Sequence, residues 1–204
     1  MFEFAANRLE ALRERGNELF HEEDYKNALE LYATGVYYCM TIDFARLEVL
    51  QRHKTVKAEG MKELLTRLKK AGTLTDHVAA TPQRTWTEED ATLSLSDLEH
   101  IAVACESVLN LQLVCCLNAS QAALKISSYR LALKFATRAL LLDDTSIKAR
   151  YRSALALRGL KQHEDALKLL EETVKMKDGN TALVQGAIRD LRTTLAKRSR
   201  PSKE

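Results

Sequence analysis

Proline and glycine are scarce, with two prolines and seven glycines among 204 residues, and β-strand patterns are rare. That scarcity, with long stretches rich in Ala, Leu, Glu, Lys and Arg, argues against a β-rich fold and for an all-α one. Charge of one sign is lacking too: 31 basic residues face 28 acidic ones, a net +3, so no global field marks a nucleic-acid binder. Cys39, Cys105, Cys115 and Cys116 show no CxxC or other metal spacing and lie in apolar helical stretches, which reads them as small buried residues in a reducing compartment. His21, His53, His77, His100 and His163 are scattered without a helical ligand pair, so no metal site is expected. Gly-rich phosphate loops, paired-carboxylate motifs and activated nucleophiles are missing as well. No catalytic residue, cofactor or enzyme activity is therefore expected. No apolar run is read as reaching the roughly 18 residues that cross a bilayer, and Met1-Phe2-Glu3-Phe4 is followed by charge rather than a signal-peptide core. Membrane contact is accordingly not expected, and a cytoplasmic location is.

What is present is helical periodicity over a chain that is 46% hydrophobic, enough to build a core. Phe4, Leu9, Leu12, Leu19 and Phe20 recur at helical spacing, with Gly16 among them. A mid-helix glycine costs about 1 kcal/mol against alanine, so Gly16 is expected to permit close approach of a neighbouring helix. Tyr25, Ala28, Leu29, Tyr32 and Val36 draw a second stripe after a turn short enough to force an antiparallel pair. From 39 to about 71 the helical pattern turns basic, and 72–95 reads as a loop containing Pro82 and Trp86. Ser96-Asp97-Leu98-Glu99 has the form of a capping box opening a long apolar helix to about Ile126. Helices are then expected at 129–142, 147–160, 163–176 and about 181–197, followed by a basic tail over 198–204.

These helices repeat. Tyr25-x-x-Ala28-Leu29, Tyr129-x-x-Ala132-Leu133 and His163-x-x-Ala166-Leu167 align on their alanines, and the last two alanines are 34 residues apart. That is the period of the tetratricopeptide repeat, two antiparallel helices per unit. The first two alanines are 104 apart, one period plus 70, so about 70 residues are inserted between the first and second units. The expected architecture is one all-α domain over 1–197, a three-repeat superhelix with a capping helix. Its parts are repeat 1 at about 9–42, an insertion at about 39–109, repeat 2 at about 110–146, repeat 3 at about 147–178 and the cap at about 181–197.

In stacked hairpins the first helix of each unit lines the concave side. Polar residues read off those helices are Arg13 and Asn17, then Asn118, then Lys148 and Arg152. Cations and amides so placed suit an extended peptide ending in carboxylates, the cations holding its anions and the asparagines its backbone and terminus. In phase and context, in Gly16-Asn17, Leu117-Asn118 and Lys148-Ala149-Arg150-Tyr151-Arg152, these positions resemble the carboxylate clamp of tetratricopeptide co-chaperones, both immunophilin-type and small stand-alone forms. The resemblance implies an adaptor that binds the acidic Glu-Glu-Val-Asp C-terminal tail of cytosolic heat-shock chaperones of the ninety- or seventy-kilodalton class. The family usually has lysine where Arg13 stands, and arginine replaces a point ammonium by a planar fork. The alternative is a structural scaffold gripping another protein through apolar groove or insertion contacts. Two further alternatives are an accessory segment of a larger isomerase, and attachment of the basic stretch 52–70 to membrane or RNA.

Overall fold

The structure, a computed structural model, describes residues 2–40 and 95–198. The basic stretch 52–70, the expected loop 72–95 except Leu95, and most of the insertion fall outside the described residues. Within them are seven helices and no strand: α1 (Phe2–His21), α2 (Tyr25–Met40), α3 (Leu95–Lys125), α4 (Tyr129–Leu142), α5 (Ile147–Gly159), α6 (His163–Val174) and α7 (Ala182–Arg198). The all-α expectation holds, and the bounds of the last five helices fall within two residues of those read from periodicity. The capping box differs. Leu95 is already helical, so Ser96 stands inside the first turn and not at its start.

α1 pairs with α2, α3 with α4 and α5 with α6, while α7 packs on α6. Each of the three hairpins turns in the same way. Glu23, Ser127 and Lys161 take φ of 63°, 57° and 65°, the left-handed region, two residues before the next helix begins. The amide after each donates back to a carbonyl in the preceding helix: Asp24 to Leu19 at 2.9 Å, Ser128 to Ala123 at 2.8 Å and Gln162 to Leu157 at 2.9 Å. This is the Schellman stop, which satisfies helix-end carbonyls and reverses the chain within a few residues. Thus the turns share the spacing of the alanines.

The small positions explain why the paired helices approach closely. A Cβ on Gly16 would lie 2.6 Å from the Tyr32 ring. At the equivalent place in the next hairpin Ser120 is fully buried and its hydroxyl donates to the Ala132 carbonyl at 3.0 Å, and in the third Ala154 is buried. Ala28, Ala132 and Ala166 are all fully buried across from them. One expected core residue is not there: Phe4 points to solvent, and Ala5 takes the inward place beside Leu9.

α3 is the central element, touching α1, α2, α4 and α5. Its segment Glu106–Lys125 corrects the reading that no run has membrane length: these 20 residues are long and apolar enough to cross one. Half of that segment is buried inside the fold. Val108, Leu109, Cys115, Cys116, Ala119, Ala122 and Ala123 form its inward face, so its apolarity serves a helix covered on several sides.

Candidate functional site

α1, α3 and α5 lie side by side, α3 packing against both, and they carry all five residues singled out by repeat phase. Asn17 and Asn118 meet across α1 and α3. The Asn118 Nδ2 donates to Asn17 Oδ1 at 3.1 Å, and the Tyr32 hydroxyl donates to the same oxygen at 2.7 Å. Tyr32 is 1% exposed and pinned against Gly16, so the hydroxyl that orients Asn17 is itself fixed by packing. With its carbonyl doubly engaged, Asn17 has its amide NH2 left to donate, and Asn118 has its Oδ1 left to accept. A peptide backbone presents that complement.

Arg152 stands on α5 next to this pair. One guanidinium N–H donates to the Leu117 carbonyl, the residue before Asn118, at 2.6 Å. The side chain is half-buried and no carboxylate among the described residues pairs with it. Burial lowers its pKa from the ordinary arginine value, the expected effect of removing water from a cation without supplying an anion. Lys148, one turn earlier on α5, is exposed. No carboxylate among the described residues forms an ion pair with it.

Arg13 is different. Its Nε donates to Glu10 Oε2 at 2.9 Å and its Nη2 to Glu10 Oε1, a bidentate pair one turn apart on α1. Glu14 Oε1 lies a further 3.9 Å from the same guanidinium. The hydrogen bond to Glu10 raises the Arg13 pKa, and the same bond lowers that of Glu10. The structure therefore brings Asn17, Asn118 and Arg152 into one contiguous set and leaves Arg13 engaged within its own helix. Repeat phase did not reveal Tyr32 or Glu10 as parts of the site. For Glu10 a signal existed, since Glu and Arg three apart on a helix form ion pairs. For Tyr32 it did not, because a tyrosine in an apolar stripe reads first as core.

No protein-family model and no curated sequence matches the chain. Solved structures do. The C-terminal TPR-containing domain of an FK506-binding protein of Plasmodium falciparum superposes with a TM-score of 0.60 at 14% identity, covering 97% of this chain and 95% of that one. The second TPR domain of human RPAP3, solved by NMR in complex with the HSP70 peptide SGPTIEEVD, gives a TM-score of 0.51 at 18% identity, covering 94% of this chain and 98% of that one. Identities this low speak to architecture: hairpins, shared turns and superposition together give the chain the fold of tetratricopeptide-repeat domains.

Proposed function

We propose that the chain is a protein-interaction adaptor, cytoplasmic and without catalytic activity, whose groove takes the acidic C-terminal tail of a heat-shock chaperone through Arg13, Asn17, Asn118, Lys148 and Arg152. The observation that carries the reading is Arg152: a half-buried guanidinium that no carboxylate among the described residues pairs with, beside an asparagine pair with an amide NH2 and a carbonyl oxygen to spare. A buried cation without an anion is poorly compensated, and a ligand carboxylate is the group that would complete it. Support also comes from the RPAP3 domain of similar fold, which holds a peptide ending in Glu-Glu-Val-Asp.

The test is calorimetric titration of the full chain with that nonapeptide. Affinity is expected on the order of micromolar and falling with salt, because charge-assisted contacts dominate. Lys148→Ala and Arg152→Ala should each weaken it by about tenfold or more, and C-terminal amidation of the peptide should weaken it severely. Absence of heat with the free-acid peptide, or unchanged affinity in both variants, rejects the proposal. Pull-downs whose partners survive removal of all five side chains would favour the scaffold reading instead.

A further inference from the structure

The anionic and cationic groups of this groove are not spread evenly. On α1 the groove cation Arg13 is gripped by both oxygens of Glu10 and approached by Glu14. On α5 Lys148 and Arg152 meet no carboxylate among the described residues. The α1 wall thus carries two carboxylates around one guanidinium, while the α5 wall carries two cations that no carboxylate among the described residues neutralises. An incoming carboxylate at Arg13 either displaces Glu10 or takes the other edge of the guanidinium beside Glu14, and in both places a carboxylate tethered within a turn repels it. At Arg152 an incoming carboxylate displaces no carboxylate of the described residues and supplies an anion to a half-buried cation.

We infer that Glu10 is a specificity-determining residue of the groove: it holds Arg13 in an internal ion pair, leaving the α5 pair Lys148 and Arg152 as the main readers of ligand anions. The inference rests on the groove reading above and adds to it an internal competitor for the ligand. Glu10 occupies the Nε–Nη2 edge of the guanidinium, a bidentate face that a planar carboxylate would take, and the remaining Nη1–Nη2 edge is flanked by Glu14, 3.9 Å from Nη2. Arginine rather than lysine at position 13 is what makes the lock bidentate, since an ammonium offers no fork for both Glu10 oxygens.

The experiment is a double-mutant cycle of Glu10→Gln and Arg13→Ala in the full chain, titrated with SGPTIEEVD and with an analogue whose acidic groups are all neutralised by Gln, Asn and a C-terminal amide. Glu10→Gln is expected to tighten the acidic peptide by about fivefold, the upper range of an exposed ion pair, and to steepen the loss of affinity with salt. Arg13→Ala should cost the wild type less than about twofold yet abolish the gain made by Glu10→Gln, so the two changes are not additive. The neutral analogue should show no gain. Wild-type binding that Glu10→Gln leaves unchanged or weakens, or a loss on Arg13→Ala as large as that on Arg152→Ala, overturns this inference and leaves the groove reading intact. If neither wild type nor Glu10→Gln binds the acidic peptide, the groove reading itself falls and takes this one with it.

Discussion

Gly16 and Gly186 are both helical, and their surroundings separate what glycine does in each. Beside Gly16 an added Cβ would meet three atoms of the Tyr32 ring at 2.6 to 3.0 Å, whereas around Gly186 nothing lies within 4 Å. Gly16→Ala should therefore destabilise by about 1 to 2 kcal/mol, overpacking outweighing the helix propensity gained. Gly186→Ala should stabilise by up to about 1 kcal/mol, and urea unfolding of the two variants checks both signs. Because Tyr32 orients Asn17, Gly16→Ala should also weaken peptide binding, which Gly186→Ala should not. The buried acids give a second measurement. Burial pushes the Cys115 and Cys116 thiols and the Tyr32 phenol up to about 12, and raises Cys39 as well. A folded-state pKa above the unfolded value means stability that is intact below the unfolded thiol value of about 8.5 and is lost as pH climbs toward the folded one. The urea midpoint should hold steady from pH 6 to 8 and fall from about pH 9 upward, and a midpoint flat to pH 11 would contradict the burial of these thiols. At this scale the sequence was informative wherever repeat phase applied: Gly16, Ala28, Ala132, Ala154 and Ala166 are the close-packed positions it indicates. It was silent on the Tyr32 bond to Asn17, because a hydrogen bond between helices depends on rotamers and not on period.

Helix ends show a different limit. Glycine is the usual occupant of the left-handed residue in a Schellman stop, and here Glu23, Ser127 and Lys161 fill it, so no glycine marks the reversal position of the three hairpins in the sequence. The turns could be inferred only from the interval between apolar stripes. Side chains in that backbone region cost about 1 to 2 kcal/mol, and glycine escapes the clash while losing more entropy on folding. Lys161→Gly is accordingly expected to raise stability by about 0.5 to 1 kcal/mol, read from the thermal or urea midpoint, with α6 and the groove unchanged. Destabilisation would mean that the Lys161 side chain makes a contact worth more than its backbone strain. α3 is the element on which apolarity alone misled: 20 of its residues match a membrane span, yet their inward face is the packing surface for the surrounding helices. A run-length reading scores side chains one at a time, whereas a helix in contact with four others must be apolar over most of its girth.

Across the molecule the buried residues divide into two clusters that meet on α5. The larger runs from Ala5 and Leu9 through α2, α3 and α4 to Ala149 and Ala156, and contains 20 buried residues among those described. The smaller joins Ala154, Ala166 and Leu170 to Val184, Ala187, Ile188 and Leu191, seven in all. Because each helix pair buries its apolar face chiefly against its neighbours, stability in such a stack is a sum of local terms, and the end with the thinner core opens first. Native-state hydrogen exchange should find the amides of α6 and α7 exchanging through an opening of lower free energy than those of α3 and α4, with α5 divided between the two. The consequence reaches the groove, since Lys148 and Arg152 sit on α5 while Asn17 and Asn118 sit on α1 and α3, whose buried residues belong to the larger cluster. Val184→Ala, which hollows the smaller cluster from the α7 side, should cost about 1 to 3 kcal/mol. It should speed exchange in α6 and α7 selectively and leave α3 and α4 nearly unchanged. If α7 and α3 instead lose protection together, the two clusters unfold as one cooperative unit, and α5 is a rigid bridge rather than the seam between them.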